Sequence, residues 1–276
     1  MELREIFKQK GNLEMDYQDI TCTKEEGIAT LTLNRPDRMN AFSPEMIQSI
    51  FKVVKDANKD EKVRVLVITG AGRAFCTGSD VSAMAQRFDQ FAVEESKSES
   101  TDAGLTILLQ RFEKPIIAAI NGAAVAGGLD LACACDIRIA SDRATFAMVY
   151  VRRGMIPTDG GTFLLPRLIG IDRACQLIWT GDRIDAREAE RIGLVTTVVP
   201  HEELQSAARE LAEKLAKGPP LVIQKAKRAI YEGTEMDMKS ALKHIASAVR
   251  ILNKTADFEE GLKAFVEKRE PVFKGR

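Results

Sequence analysis

The sequence predicts an α/β core followed by a helical C-terminal region, on three observations. Residues 27–33 (GIATLTL) alternate apolar and polar side chains, the period of a strand with one buried face. Residues 63–70 (VRVLVITG) are almost continuously apolar, as in a parallel strand covered on both faces. Beyond His201 strand signals stop and four helical segments follow. A chain of 276 residues can bury one large core with an appendage. The change of pattern near residue 200 divides it into 1–200 and 201–276.

The elements follow in order. Residues 17–22 predict a partner strand for 27–33, joined through Lys24-Glu25-Glu26-Gly27, and Asn34-Arg35-Pro36-Asp37 breaks the second strand. Ser43-Pro44-Glu45 supplies an N-cap, a proline at the first helical position and an acidic first turn. That helix runs to about Lys59, with Met46, Ile47, Ile50, Phe51 and Val54 on one side. After the 63–70 strand, residues 71–79 read as a small-residue loop, and Asp80 opens a helix. The polar stretch 88–100 predicts a loop or a frayed helix. A helix at 101–112, a strand at 115–120, a helix at 126–133 and a strand at 137–140 come next. A loop continues through Tyr150. Helices at 160–168, 171–180 and 186–192 lead to a strand at 195–199. Helices at 201–217, 220–232, 235–253 and 257–268 complete the chain. Cys76 and the single tryptophan, Trp179, read as packing residues.

Composition excludes several function classes. Forty Lys and Arg balance 40 Asp and Glu, so no overall charge draws the chain to nucleic acid or an acidic membrane. Residues 201–276 carry 15 basic and 12 acidic groups, a mild bias that suits a phosphorylated small molecule. Residues 115–135 hold one charge, Asp130, but Pro115, Asn121-Gly122 and Gly127-Gly128 predict strand, turn and helix instead of a membrane span. Two histidines, His201 and His244, rule out a His-rich metal site and read as structural or solvated. The five cysteines have no paired spacing, and Met1-Glu2-Leu3-Arg4-Glu5 opens no secretory signal, so a reducing, cytoplasmic compartment is expected. No metal-ligand cluster or dinucleotide fingerprint appears, so neither metal nor nicotinamide is expected.

Two loops carry the candidate chemistry. Residues 73–80 (RAFCTGSD) and 121–130 (NGAAVAGGLD) each follow a buried strand and precede a helix. Each can present backbone N–H groups unblocked by bulky side chains, and two such donors converging on one carbonyl oxygen make an oxyanion hole. Each loop by itself is equally a tight strand-to-helix connection.

In context the two loops are more specific. The stretches LTLNRPDRMNAFS (31–43), GAGRAFCTGSDVSAM (70–84), KPIIAAINGAAVAGGLDLACACDIRIAS (114–141) and GMIPTDGGTFLLPRLIG (154–170) resemble the crotonase superfamily of enoyl-CoA hydratases and isomerases. The resemblance continues in TGDRIDAREAERIGLVTTVVP (180–200) and FEEGLKAFVEKREPVFKG (258–275). It implies a spiral of ββα turns and a C-terminal helical region that forms a homotrimer or a dimer of trimers. It also implies an acyl-CoA substrate, with no cofactor beyond the coenzyme A that the substrate carries. By position, the oxyanion amides fall on Ser79 and Gly127. Acyl-CoA contacts fall on Ser79, Asp80, Val81 and Ser82, and the adenine end on Arg38, Met39, Ala74, Cys76 and Thr77. Phe258, Lys263 and Phe265 lie where the family closes the CoA pocket, in some members from a neighbouring subunit.

The acid/base positions depart from the hydratase pattern. Where family hydratases place two glutamates, this chain has Asp130 and Tyr150. A phenol with an ordinary pKa of roughly 10 donates a proton or orients water but does not replace a carboxylate base. Asp159 is the candidate second carboxylate, the matching family position being either Asp159 or Thr158. Asp159 reads equally as a cap for the helix at Gly160, Asp130 as a buried structural carboxylate, and Asp80 as a helix cap. The expected chemistry is hydratase or isomerase, with proton transfer or water addition beside a thioester-stabilised enolate. Alternatives are an atypical isomerase, a dehalogenase, a thioesterase or a non-catalytic acyl-CoA-binding protein.

Overall fold

The computed structural model describes residues 17–80 and 101–276. Expectations for 81–100, including Val81, Ser82 and the helix opening at Asp80, lie outside the described residues. The larger sheet has six strands: β1 (Ile20–Glu25), β2 (Ile28–Leu33), β3 (Val65–Gly70), β5 (Ile116–Ile120), β7 (Ile137–Ser141) and β10 (Thr197–Val199), in that spatial order. The β1/β2 pair is an antiparallel hairpin; the other neighbours are parallel. The smaller sheet contains β4 (Ala74–Cys76), β6 (Ala123–Val125), β8 (Thr145–Ala147) and β9 (Arg183–Asp185). The pairs β3/β4, β5/β6 and β7/β8 each put one strand in each sheet, in the same order. That repetition is the spiral.

The helices are α1 (Pro44–Lys59), α2 (Thr101–Gln110), α3 (Gly127–Ala134), α4 (Gly161–Ile169), α5 (Ile171–Thr180), α6 (Ala186–Arg191), α7 (Leu204–Lys217), α8 (Pro220–Gly233), α9 (Met238–Leu252) and α10 (Ala256–Glu267). Ser43 caps α1 by accepting from the Met46 N–H at 3.0 Å, with Pro44 behind it, as its sequence predicts. The apolar run of β3 serves two cores. Leu66 and Ile68 face a layer with Met46 and Ile50 of α1, whereas Val65 and Val67 face Leu204, Ala208 and Ala212 of α7. Successive strand residues point to opposite faces, so burial on both sides removes the alternation.

The smaller sheet corrects the sequence reading. The predicted 71–79 loop contains β4, and the predicted loop through Tyr150 contains β8 and a 3₁₀ turn, Val149–Arg153. Strands of three residues are too short to show a period. The first strand lies at 20–25 rather than 17–22, pairing Glu25 with Ile28 across the tight turn. Trp179 is 71% exposed: α5 buries Ala174 and Leu177 and turns its indole outward. Residues 115–135 form β5, β6 and α3, and no helix of the described residues is long and apolar enough to cross a membrane.

Two buried asparagines tie the turn after β3 to the core. Asn40 donates to the carbonyls of Ala71 (2.9 Å) and Ala74 (2.8 Å). Asn121 accepts from the Gly70 N–H at 3.1 Å and donates to Gly72 at 2.9 Å. Buried carbonyls off the sheet ladders need such partners.

Candidate active site

Strands β4 and β6 are parallel neighbours, with Ala74 opposite Ala123 and Cys76 opposite Ala124. The loops that follow them are therefore adjacent. In the first, the Phe42 N–H donates to the Gly78 carbonyl (2.8 Å) and the Asp80 N–H to the Phe42 carbonyl (3.3 Å). Amides alternate sides along extended chain, so the intervening Ser79 N–H faces away from Phe42. In the second, Gly127 starts α3, and its N–H is among the first four of a helix, which have no intrahelical acceptor. The loops touch: a Cβ on Gly78 would stand 2.8 Å from the Gly127 nitrogen. Gly78 also has φ +78°, and both facts demand glycine there.

Ala126, which leads into Gly127, holds φ 49° and ψ −123°, a conformation natural to glycine. Such strain costs about 1–3 kcal/mol and clusters at functional sites. Ala126→Gly is expected to raise stability by about 1 kcal/mol, the strain relieved exceeding the extra unfolded-chain entropy. Chemical denaturation measures it, and a lower midpoint at unchanged slope would refute the strain.

Three polar side chains gather beside this pair of amides. Asp130 lies in the first turn of α3, Tyr150 on the 3₁₀ turn and Asp159 just before α4; all are buried. The Tyr150 hydroxyl is 2.6 Å from Asp130 Oδ2 and 3.1 Å from Asp159 Oδ2. Glycines make the room. A Cβ on Gly127 would stand 2.9 Å from Asp159 Oδ2, and one on Gly161 2.3 Å from Asp130 Oδ1. Burial, then the two neighbouring carboxylates, pushes the Tyr150 phenol far above its ordinary range. Burial also raises the Asp159 carboxyl, with hydrogen bonds from Tyr150 and Thr158 pulling the other way.

The capping reading of Asp159 fails. Gly160 occupies the N-cap of α4 without a side-chain hydrogen bond, and the Asp159 carboxyl turns to Tyr150. Asp80 forms an ion pair with Arg35 at 3.5 Å, while the guanidinium donates to the Ala41 carbonyl at 2.7 Å and approaches Asp19 at 3.4 Å. Arg35 thus braces the Ser79 segment, a role its sequence position does not signal. Thr106 of α2 was also missed: its hydroxyl donates to the Asp159 carbonyl at 2.6 Å. No local motif marks it, because α2 reaches the site only through tertiary packing. A cavity of about 10 Å³ lies among Phe42, Leu105, Thr106, Gly127, Leu131 and Asp159.

The other predicted contacts are more dispersed. The Thr77 hydroxyl donates to the Met39 carbonyl at 3.3 Å, bringing these two together, and Arg38 is exposed nearby in sequence. Ala74 and Cys76 are sealed in the core by β4 pairing, so their side chains offer no surface to a ligand. Phe258, Lys263 and Phe265 lie exposed on α10. Among the described residues, no group of three His, Cys, Asp or Glu is placed to hold a metal.

The arrangement can polarise a carbonyl with two amides and handle protons with a carboxyl–phenol–carboxyl chain. Residues 23–276 match the family described as enoyl-CoA hydratase/isomerase. The chain is 39% identical to a crotonyl-CoA hydratase of Syntrophomonas wolfei, over 94% of this chain and 99% of that protein. It is 36% identical to the 1,2-epoxyphenylacetyl-CoA isomerase of Escherichia coli, over 91% and 97% respectively. The crystal structure of an enoyl-CoA hydratase from Bacillus anthracis superposes with a TM-score of 0.88 at 37% identity, covering 94% of this chain and all of that one. With the two-sheet spiral and the paired amides, these matches identify the chain as a member of the enoyl-CoA hydratase/isomerase family.

Proposed function

We propose that this enzyme binds an acyl-CoA thioester, holds its carbonyl oxygen between the Ser79 and Gly127 amides, and shifts a carbon–carbon double bond by moving a proton. One observation carries the reading: the Tyr150 oxygen sits between the Asp130 and Asp159 carboxyls at 2.6 and 3.1 Å. In water addition, a water between two carboxyls is deprotonated by one while the other protonates the α-carbon. Here a fixed hydroxyl occupies the space between the carboxyls. In double-bond migration no water is needed: a carboxylate removes a proton from the α-carbon, the electrons spread into a dienolate, and a proton returns at the γ-carbon. The amides stabilise the enolate oxygen, and the CoA portion is substrate, so the cycle requires no separate cofactor.

Hydration is the second reading, favoured by the cavity beside Asp159, whose roughly 10 Å³ matches one water. Crotonyl-CoA and a 3-enoyl-CoA incubated in heavy-oxygen water distinguish them. An unlabelled 2-enoyl product is expected from the 3-enoyl ester; label in a 3-hydroxyacyl product instead would mean hydration. No turnover on any thioester would leave only a binding protein.

We further propose that the helices beyond residue 200 join three copies, with two trimers pairing as an option, in a reducing cytoplasm. Met238, Leu242, Ile245 and Val249 recur at four- and three-residue steps along α9 and are 75, 57, 43 and 43% exposed. Such a stripe calls for a partner. In the same assembly Phe258, Lys263 and Phe265 would close a neighbour's CoA site, beside Arg38, Met39 and Thr77. Among the described residues no disulfide joins any of the five cysteines. Sedimentation at micromolar concentration is expected to show a trimer or hexamer; a clean monomer would rule this out.

A further inference from the structure

A phenol has one O–H, yet the Tyr150 oxygen is within hydrogen-bond distance of two carboxyls. Ionised carboxylates only accept. Were both ionised, one contact would press a phenol lone pair against an anion among three buried groups. One added proton removes the conflict: one carboxyl donates to the phenol oxygen, and the phenol donates onward to the other. The direction follows from the surroundings. Asp130 lies in the first turn of α3, where the helix dipole favours negative charge. Its 2.6 Å contact has the length of a hydroxyl donating to a carboxylate. Asp159 has the longer contact, 3.1 Å, and its carboxyl does not cap α4. Burial raises its pKa, in the same sense.

We propose that Asp159 is a neutral carboxylic acid in the resting enzyme at pH 7, donating to Tyr150, and that Tyr150 is the relay that returns its proton from Asp130 after each turnover. The relay rests on the double-bond-migration reading; the resting position of the proton does not. The cycle balances without any co-reactant. The Asp130 carboxylate takes a proton from the substrate α-carbon, whose C–H electrons enter the dienolate. Asp159 gives its proton to the γ-carbon and becomes a carboxylate. Asp130 then protonates the phenol oxygen as the phenol hydrogen passes to Asp159, restoring the starting state. Substrate hydrogen is thereby kept from solvent and delivered in a later turnover.

Infrared spectroscopy of the full-length enzyme with carbon-13-labelled aspartate at pH 7 tests the resting state without substrate. A carboxylic-acid C=O band is expected in the wild type, absent from Asp159→Asn and shifted in Tyr150→Phe, which fills the same space but removes the acceptor. No such band, its persistence in Asp159→Asn, or an unshifted band in Tyr150→Phe would overturn the proposal. For the relay, an α,α-dideuterated 3-enoyl-CoA in ordinary water is followed over many turnovers. The product is expected to carry deuterium at the γ-carbon with the wild type and protium there with Tyr150→Phe, the second α-deuterium staying on the α-carbon in both. Equal deuterium at the γ-carbon in both overturns the relay. If the band behaves as expected but no 3-enoyl-CoA is isomerised, the isomerase reading fails while the proton placement stands.

Discussion

Asp130→Asn is expected to lower kcat by about 10²–10⁴-fold, the usual contribution of a positioned acid/base group. Asparagine keeps the size of the side chain and still accepts the Tyr150 hydrogen bond, so the packing in the first turn of α3 is preserved. It cannot take a proton from carbon. KM is expected to change little, because Asp130 makes its contribution when charge moves. The measurement is steady-state turnover of whichever thioester the wild type accepts, with thermal unfolding as the check on folding. Parental turnover in a folded Asp130→Asn protein would remove Asp130 from the chemistry.

Ser79→Pro is expected to cost about 10²–10³-fold in kcat, the effect of losing one oxyanion donor. Proline deletes the N–H and places ring carbons where the substrate oxygen would accept it. The neighbouring ladder contacts use the Gly78 carbonyl and the Asp80 N–H, so the bridge to Phe42 does not depend on the Ser79 amide. Ser79→Ala, which keeps the N–H, is expected to retain most activity. A proline variant as active as the alanine variant would show that the oxygen is held elsewhere. These two substitutions separate the halves of the site, one holding the oxygen and the other moving the proton.

Much of the larger sheet was legible because its strands are long enough to carry a pattern. The alternating β2 and the apolar β3 declare one- and two-sided burial within a few residues, and Ser43-Pro44-Glu45 marks the start of α1 to the residue. The smaller sheet was not, because β4, β6, β8 and β9 have three residues each and none spans enough periods. Asp130 and Tyr150 could be singled out because they stand where the hydratases that the chain resembles place two glutamates. The bracing by Arg35 and the contact of Thr106 with Asp159 could not, since the partners are 45 and 53 residues apart.

The amino-acid order alone determined the fold class and the residue types at the candidate site, because periodicity, capping and loop composition are local. Together with the family resemblance, it put one carboxyl, Asp130, and one phenol, Tyr150, at the two glutamate positions and offered Asp159 as a second carboxyl from a later loop. Tertiary structure decided how those groups are joined. Parallel pairing of β4 with β6 sets Gly78 against Gly127, and the turn before α4 brings Asp159 to the hydroxyl of Tyr150, whose other contact is Asp130. Sequence spacing cannot specify that geometry, since a hydrogen bond forms or fails over a few tenths of an ångström. Only the packed spiral places one phenol proton between two buried carboxyls, and that shared proton distinguishes this site from a pair of independent acids.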